Sequence, residues 1–243
     1  MQGRNGMSVE LEKAGLDRFK KIVEFANLHP IHCSENDPIS SVVQQILKTT
    51  HRSFPVVTKG EMIGVVTIMD ILGAFLRRHY MDDKISEIMS RDVIYCNSND
   101  PIGFVLQKFK LTRRGRFPIL EKKRLVGIVT ERDFVKRFSK INFGMTVQEK
   151  MTNKPFFMEH DASILSCLRS CVNTRYRRLP IVNNRTEKKL VGIITVSDIL
   201  RFIADNNYDY TSLIKPVDSI MIKNVFQISA DEDISNAIKI IDE

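Results

Sequence analysis

Apolar residues along this chain alternate between two spacings, and the alternation recurs about every 60 residues. From Ile39 to Leu47 they fall at positions i, i+3, i+4, i+7 and i+8, which is the spacing of one helix face. Two short apolar runs follow, FPVV at 54–57 and MIGVV at 62–66, with the turn residues TKGE between them. This order predicts a helix and two strands, and a second helix then begins in TIMDILGAFL at 67–76.

The same order of elements occurs three times. The copies share an opening acid and a strand proline, and the third copy has a longer turn at 183–188. A short strand, as in DVIYC at 92–96, precedes each copy and follows a short helical segment. The predicted unit is therefore strand–helix–strand–strand–helix. Its anchors are Asp37, Asp100 and Asp161, and Pro55, Pro118 and Pro180.

A fourth copy of the pattern begins at Val217 and stops before its second strand, roughly thirty residues short of the repeat period. We expect a truncated sequence or disorder there rather than a natural stop. One such unit cannot cover the apolar face of its small sheet, so the units should pair. Four units predict two pairs.

Each complete copy carries the same short motif at a strand-to-helix junction. It reads GVVTIMD, GIVTERD and GIITVSD, with a threonine and an aspartate three residues apart. These units resemble CBS domains (cystathionine-β-synthase motifs) from about Leu28 onward. Four-unit chains without an enzyme domain resemble the nucleotide-sensing gamma subunit of AMP-activated protein kinase and its prokaryotic relatives. The resemblance implies an α/β disc of two paired Bateman modules, with adenine nucleotides in the clefts.

The repeats divide the chain into five predicted parts. The first, residues 1–25, is an amphipathic helix or extension, because Leu16, Phe19, Ile22 and Val23 share one helical face. We expect that helix to pack on its own chain rather than on another subunit. The other four parts are repeat 1 at 26–82, repeat 2 at 83–144, repeat 3 at 145–212 and an incomplete repeat 4 at 213–243.

The threonine and aspartate of the motif admit two roles. As a capping box they would finish the helix, a role worth about 1 kcal/mol, although glutamate or glutamine would also serve there. As ligands, the carboxylate would accept hydrogen bonds from a ribose diol, and the helix start would face phosphate. The resemblance implies the second role in addition to the first. The candidate residues are Thr67, Asp70, Thr130, Asp133, Thr195 and Asp198.

Phosphate requires cations, and arginines precede each motif proline. Arg116 and Arg178 align with each other, whereas repeat 1 has Ser53 at that position. Arg52 lies one residue earlier and matches Arg177. We expect these four arginines to face nucleotide phosphates and the best-supported clefts to lie between repeats 1 and 2. The expected ligands are AMP, ADP or ATP, with no cofactor and no metal.

Charge keeps one other function open. The net charge is +8, and residues 108–140 hold twelve Lys and Arg against three acids. Such a surface attracts nucleic acid or an acidic partner protein, yet the segment lacks interleaved aromatic residues for base stacking. Nucleic-acid binding is therefore the weaker alternative. A second alternative keeps the clefts but fills them with S-adenosylmethionine or a related adenosyl ligand, which carries no phosphate.

Catalysis finds no support in the sequence. The chain has no P-loop, no HExxH and no order of residues that indicates a catalytic triad, and its five histidines are scattered. The four cysteines form no CxxC pair and are interpreted as buried small hydrophobes in a reducing compartment. No apolar segment is long enough to span a bilayer. We expect a cytoplasmic, non-catalytic sensor that regulates a partner protein, with a homodimer as a further expectation.

Overall fold

The computed structural model describes residues 11–242, apart from residues 12, 50, 139 and 140. Residues 1–10 of the predicted N-terminal extension therefore lie outside the described part. The chain forms a mixed α/β fold of small sheets flanked by helices, which confirms the predicted fold class.

Repeat 1 follows the predicted order of helix, strand, strand and helix. The two strands pair antiparallel, with Pro55 opposite Val65. Lys59 and Gly60 connect them with φ angles of 53° and 80°, and positive φ at both positions matches the twist of a two-residue hairpin. The elements are α1 (Ile39–Lys48), β1 (Ser53–Thr58), β2 (Glu61–Thr67) and α2 (Ile68–Leu76).

Repeats 2 and 3 each add a short first strand parallel to the second strand, giving two three-stranded sheets. Repeat 2 consists of β3 (Cys96–Asn97), α3 (Ile102–Thr112), β4 (Arg116–Glu121), β5 (Arg124–Thr130) and α4 (Glu131–Phe138). A short helix α5 (Val147–Lys150) leads into repeat 3, which consists of β6 (Met158–Glu159), α6 (Ile164–Thr174), β7 (Arg178–Val182), β8 (Leu190–Thr195) and α7 (Val196–Asp205). The last described helix is α8 (Ile234–Asp242).

The predicted first strands are shorter than expected. Only Cys96 and Asn97 of the DVIYC region pair in repeat 2, and in repeat 1 a single bridge joins Cys33 to Val56. The strands are short because the residues just upstream of them pair with the sheet of a different repeat. We call the residues that run up to each first strand the lead segment of that repeat.

Each described crossing of a lead segment reaches the sheet of a different repeat. Asn27 pairs with Ile128, Ser90 pairs with Val65, and Ile222 pairs with Ile193. Each pair exchanges two backbone hydrogen bonds of 2.9–3.0 Å. Repeats 1 and 2 therefore extend each other's sheets reciprocally, which pairs them as the sequence predicts.

The motif glycine is what lets a lead segment approach so closely. A Cβ atom on Gly64 would lie 2.8 Å from Met89 Sδ and 2.9 Å from the Ser90 carbonyl oxygen. At Gly192 the same atom would lie 2.6 Å from Met221 Sδ. Any side chain would force the crossing chain away from the strand. The glycine that recurs in the motif is thus a requirement of sheet pairing.

The described residues form two hydrophobic cores, and the larger one joins repeats that are not neighbours in sequence. The shared core buries residues of repeats 1 and 3 together, such as Leu72 and Leu200. Helix α2 packs on α6 and α7 across it. The second core combines repeat 2, including Phe117 and Phe134, with the N-terminal segment. Helix α4 of repeat 2 also contacts α8.

The sequence predicts an amphipathic helix or an extension for the N-terminal segment 1–25, and the helical alternative is wrong for residues 16–25, whose apolar spacing suggested it. That stretch contains one 3₁₀ turn at Ile22–Glu24, and Phe19 remains 79% exposed. Backbone hydrogen bonds to repeat 2, from Ile22 N–H to Asp100 and from Ile102 N–H to Lys20, hold it in a more extended form. Leu16 and Ile22 are nevertheless buried in the second core, so the segment packs on its own chain.

All four cysteines are free thiols in the two cores, as predicted from their spacing. Burial raises the pKa of Cys33 and Cys167 to about 12. Burial likewise raises the pKa of Cys96 and Cys171 to about 11. The thiols are therefore protonated at neutral pH and act as packing groups rather than nucleophiles.

The described helices are short. The longest, α3 and α6, have eleven residues each, or about 17 Å at 1.5 Å per residue. The hydrocarbon layer of a bilayer is about 30 Å thick. Accordingly, no helix in the described part of the chain has the length and apolar character needed to span a membrane.

Candidate functional site

The motif threonine and aspartate of repeat 1 form a capping box at the start of α2. The Thr67 N–H donates to Asp70 Oδ2 at 2.9 Å, and the Thr67 hydroxyl donates to the same oxygen at 2.7 Å. The Asp70 N–H donates in return to Thr67 Oγ1 at 3.3 Å. The capping role considered from the sequence is therefore present.

The other two copies have closely similar geometry. In repeat 3 the Thr195 N–H and hydroxyl donate to Asp198 Oδ2 at 2.9 and 2.7 Å, and the return bond is also made. In repeat 2 the Thr130 N–H and hydroxyl donate to Asp133 Oδ2 at 2.7 and 2.9 Å. The threonine thus donates the same two hydrogen bonds at all three helix starts, and the full capping box is formed at those of repeats 1 and 3.

Capping uses only one oxygen of each carboxylate. Within the described residues, Oδ1 of Asp70, Asp133 and Asp198 has no hydrogen bond to the protein. Each threonine hydroxyl already donates its proton to the carboxylate, so it offers a ligand only acceptor lone pairs. The motif can consequently accept hydrogen bonds from ligand hydroxyl groups while it keeps the cap. A vicinal diol fits that requirement.

A cavity of about 580 Å³, which we call the first cleft, opens beside the repeat 1 motif. Thr67 and Asp70 line one part of it, and strand residues such as Val65 and Ile128 from two repeats form apolar walls. Val93 and Ile94 of the repeat 2 lead segment close another side. The volume and the mixed lining are those of a small-ligand site.

Six arginines from three repeats also line the first cleft. The third repeat contributes two of them although its own motif lies elsewhere, because repeats 1 and 3 are joined through the shared core. The sequence predicts clefts shared between paired repeats, but it does not predict that repeat 3 contributes to the cleft of repeats 1 and 2. The six are Arg52, Arg113, Arg114, Arg116, Arg175 and Arg177.

Two serine hydroxyls accept hydrogen bonds from arginines of other repeats. Arg116 Nη1 donates to Ser53 Oγ at 3.2 Å, so repeat 2 supplies a guanidinium where repeat 1 has a serine. Arg52 Nε donates to Ser197 Oγ at 3.0 Å, beside the Asp198 cap of repeat 3. The arginines are therefore exchanged between repeats, which alignment of the copies alone does not reveal.

The arginines of the first cleft form a strongly cationic group, and their charges perturb one another's pKa. Burial, followed by the charges of Arg177 and Arg52, lowers the pKa of Arg116. Burial, followed by Arg178 and Arg177, lowers the pKa of Arg52, and only Asp198 opposes that shift. Both shifts mean that positive charge is held close to positive charge with partial loss of water. An anion placed among these groups would relieve the repulsion.

The ten predicted site residues do not all meet in one place. Five of them line the first cleft, namely Thr67, Asp70, Arg52, Arg116 and Arg177. The residues Thr130, Asp133, Thr195, Asp198 and Arg178 are not among its lining residues. Arg178 begins β7 and is exposed. The roles assigned to all ten from the motif stay predictions.

Sequence reasoning missed several residues of the first cleft. Arg113 and Arg175 end α3 and α6 in left-handed conformation, with φ of 52° and 63°. The two arginines occupy equivalent positions in repeats 2 and 3, and this equivalence could have identified them from the sequence. Val93 and Ile94 gave no such signal, because the crossing of the lead segment brings them to the cleft.

The described part of the chain also contains one cluster with metal-ligand spacing, formed by His79, Asp83 and Glu87. Its side chains are half-buried or exposed, and Asp83 Oδ2 already accepts from the Tyr80 N–H at 2.9 Å and contacts His79 Nδ1 at 3.0 Å. The Asp83 contacts account for the loop that follows α2. We assign the cluster a structural role.

Comparison with known protein families identifies the same three repeats. The CBS domain family model matches residues 22–77, 85–140 and 147–205, which together make up more than half of the chain. The chain belongs to the CBS domain family. The three matched CBS repeats are the three complete copies of the pattern, and residues 213–243 lie outside the matched ranges.

A solved structure has the same fold over most of its length. The crystal structure of MJ1225 from Methanocaldococcus jannaschii, named as a candidate archaeal homolog of the AMP-activated protein kinase gamma subunit, superposes with a TM-score of 0.82. The match covers 91% of this chain and 89% of that one, at 21% sequence identity. This likeness confirms the predicted fold of paired CBS repeats.

Two relatives match the chain over roughly half or more of its length. The uncharacterized protein MJ1404 of the same archaeon is 30% identical over 197 residues, or 73% of this chain and 46% of the relative. YlbB of Bacillus subtilis, also uncharacterized, is 36% identical over 121 residues, or 48% of this chain and 79% of the relative. The chain thus spans about half the length of MJ1404.

Proposed function

We propose that this CBS protein is a non-catalytic regulatory module that binds an adenine nucleotide, AMP, ADP or ATP, in the first cleft. The observation that carries the proposal is that one cavity holds both the free oxygen of the Asp70 carboxylate and six arginines. A ligand that combines a diol with phosphate satisfies both. Adenine would lie against the apolar strand residues between them.

Asp70 is the proposed sugar contact. Its Oδ2 is committed to the Thr67 cap, and the cap orients Oδ1 with little freedom. A ribose 2′,3′-diol donates two hydrogen bonds, one to Oδ1 and one to the Thr67 hydroxyl oxygen. Because the cap is already formed, ligand binding orders little additional structure at this end.

The arginines are the proposed phosphate contacts. Hydrogen bonds to charged groups contribute about 1.5–3 kcal/mol each, and micromolar binding requires about 8 kcal/mol. Two arginines would therefore supply between roughly a third and three-quarters of that free energy. Arg116 and Arg177 are the preferred pair, since they come from repeats 2 and 3 and line the same cleft.

S-adenosylmethionine and related adenosyl ligands are the competing occupants. They offer the same adenine and ribose, so Asp70 does not discriminate against them. The sulfonium of S-adenosylmethionine would, however, add a positive charge to a centre that already holds six arginines. A neutral adenosyl thioether escapes that repulsion but leaves the arginines without a counter-charge.

Nucleic acid loses part of its support. Arg113, Arg114 and Arg116 contribute to the basic stretch 108–140, and all three line the first cleft. Their charge is therefore accounted for by a small anionic ligand. A steep fall in affinity for duplex DNA or RNA with rising salt would restore this alternative.

Thermal unfolding with AMP, ADP, ATP and S-adenosylmethionine tests the proposal. A ligand at one hundred times its dissociation constant adds about 2.7 kcal/mol, which is roughly 5–10 °C for a chain of this size. The nucleotide shift should shrink in Asp70→Asn, which keeps an oxygen for the cap, and in Arg177→Ala. Arg185→Ala is the matched control, because Arg185 pairs with Glu159 outside the cleft. A shift that survives both cleft changes would contradict the proposal.

The regulatory part of the proposal follows from where the ligand sits. A nucleotide in the first cleft would contact repeats 1, 2 and 3 at once, and it can bias their arrangement only by binding one arrangement more tightly. The readout would be altered binding to a protein partner or to a second copy of the chain. Light scattering with and without ADP measures the second case directly.

A further inference from the structure

The first helix of repeat 2, α3, presents apolar side chains to solvent along one face. Phe104, Lys108 and Leu111 lie at positions i, i+4 and i+7 and therefore share that face. Phe104 is 48% exposed and Leu111 is 82% exposed. Tyr95 of the adjoining lead segment is 43% exposed, and its carbonyl oxygen accepts a hydrogen bond from Lys108 Nζ. We call these four residues the α3 patch.

A cavity of about 300 Å³ opens at the α3 patch, and its lining includes Tyr95, Asn97, Asp100, Phe104 and Lys108. The Lys108 ammonium lies 6.0 Å from the centre of the Tyr95 ring and 5.5 Å from the centre of the Phe104 ring. A cation at this distance is attracted to the face of an aromatic ring. The patch thus combines exposed apolar surface with one positive charge in a fixed position.

The fold does not require apolar residues at these helix positions, because the other two complete repeats carry polar ones there. The residues equivalent to Phe104 and Leu111 are Ser41 and Lys48 in α1, and Ser166 and Asn173 in α6. All three helices nevertheless bury their core-facing side chains in the same register. The apolar character of this exposed face is therefore specific to repeat 2.

Packing between repeats leaves this face of the helix open. Repeats 1 and 3 pack on each other through the shared core, yet Lys48, Ser166 and Asn173 remain exposed. A repeat packed on repeat 2 in the same way would leave Phe104 and Leu111 uncovered. Single exposed apolar residues are common, whereas adjoining ones that the fold does not require mark an interaction surface. The occupant is therefore expected to come from another molecule.

Positive charge borders the α3 patch. Exposed cations lie at the N-terminal end of α3 and on the helix itself, namely Arg18, Lys20, Lys21 and Lys110. Backbone contacts hold the first three beside residues 101–103. The neighbouring carboxylates of Asp17 and Asp100 each accept a backbone hydrogen bond of 2.9 Å in a local turn. A partner surface with apolar residues bordered by acids would complement this one in charge.

We propose that the α3 patch docks an amphipathic segment of a partner protein, with apolar residues on one face and Asp or Glu beside them. A second copy of the chain fits less well, because a two-fold contact would place each cation opposite itself. Nucleic acid fits less well too, since Lys108 lies over the rings of Tyr95 and Phe104, and the most exposed residue, Leu111, cannot stack on a base. Docking needs no nucleotide, so the inference is independent of the first cleft.

A library of displayed random peptides tests the chemistry of the partner. It is selected on the full chain after counter-selection on the full chain that carries both Phe104→Ser and Leu111→Asn. Repeat 3 has these two residues at the equivalent positions of α6, so α3 should keep its fold, and circular dichroism checks this. We expect the selected peptides to combine apolar residues at helical spacing with flanking acids.

Fluorescence anisotropy with one selected, labelled peptide measures the contributions. The double variant Phe104→Ser/Leu111→Asn should weaken binding at least about tenfold. Lys108→Gln, which introduces the residue type of α1, should weaken it by up to about fivefold and reduce its dependence on salt. Ile214→Asn is the matched control, because Ile214 is 76% exposed on the 3₁₀ turn Tyr210–Ile214 outside the patch. It should bind like the unchanged chain.

Several outcomes would overturn the docking surface. The first is a selection with no enrichment over the double variant, and the second is enrichment of basic peptides. An oligothymidylate whose binding is lost in the double variant would replace the protein partner with nucleic acid. A dimer that sedimentation detects in the unchanged chain and not in the double variant would replace it with a second copy. None of these results bears on ADP binding in the first cleft, which the thermal-shift panel tests separately.

Discussion

The two hydrophobic cores are built on different principles. The shared core combines repeats 1 and 3, which are far apart in sequence, whereas the second core combines repeat 2 with the N-terminal segment. The clefts follow a third rule, since repeats 1 and 2 exchange lead segments. Repeat 1 thus packs against repeat 3 through its helices and pairs with repeat 2 through its strands. This double membership is why arginines of three repeats reach one cavity.

The largest expected effect on stability comes from a substitution that opens a cavity in the shared core. Leu200 of repeat 3 is 1% exposed, and Leu200→Ala should lower the free energy of unfolding by about 2–5 kcal/mol. Because the core is common, backbone amides of repeat 1, such as that of Phe54, should lose hydrogen-exchange protection together with repeat 3. Urea unfolding and hydrogen exchange measure both effects.

The matched change is Phe134→Ala in the second core, where Phe134 is 3% exposed. It should cost a similar amount, about 3–5 kcal/mol, but deprotect repeat 2 and the N-terminal segment first. Identical exchange patterns in the two variants would mean that the cores unfold as one unit.

A smaller effect is expected where the lead segment crosses repeat 1. Gly64→Ala places a methyl group against the Ser90 carbonyl, which cannot move without breaking the crossing. We expect a loss of about 1–3 kcal/mol and a weaker ADP response, because Ile94 shifts with the crossing. Thermal unfolding with and without ADP measures the change.

Gly73→Ala in α2 should instead raise the free energy of unfolding. Its added Cβ would lie 3.3 Å from the flexible end of Arg77 and at an ordinary contact distance of 3.9 Å from Val172 Cγ1. Alanine favours a helix interior by about 0.5–1 kcal/mol. A stabilised Gly73→Ala beside a destabilised Gly64→Ala supports the close-approach argument. Two variants of equal stability would contradict it.

Anion binding to the arginine centre should give a still smaller effect. Pyrophosphate at about ten times its dissociation constant should add about 1.4 kcal/mol at fixed ionic strength, and Arg116→Ala should remove most of this gain. Arg185→Ala should retain it. Equal stabilisation by chloride would show that charge screening, and not a phosphate site, is responsible.

The last prediction changes no residue and compares the cores through their thiols. Cys96 lies in the second core, and Cys33, Cys167 and Cys171 lie in the shared core. A thiol reagent at pH 8 should leave all four unlabelled in the native chain. As urea is raised, Cys96 should react before the others, since fewer buried residues protect it. Mass spectrometry of the labelled peptides gives the order.

Local pattern was sufficient for most of the fold. The helices α1, α3 and α6 and the paired strands follow from apolar spacing, because each element satisfies its own backbone and presents one apolar face. The threonine–aspartate caps could also be predicted, since a capping box involves residues only three positions apart.

Features that depend on distant parts of the chain were not predictable in the same way. The segment 16–25 has a helical apolar pattern, but backbone bonds to residues 100–103 of repeat 2 hold it extended. The arginines of repeat 3 reach the first cleft only because the shared core positions them. A sequence repeat shows which positions are equivalent, and it does not show which copies touch.

The exchanged lead segments set a limit on how this protein can be divided. Excising one repeat at its sequence boundaries would strip Val65 of Ser90 and expose the bare backbone edge beside Gly64. Such a fragment would seek another strand, by association or aggregation. Gene duplication and laboratory shuffling alike should therefore succeed with pairs of repeats and fail with single ones.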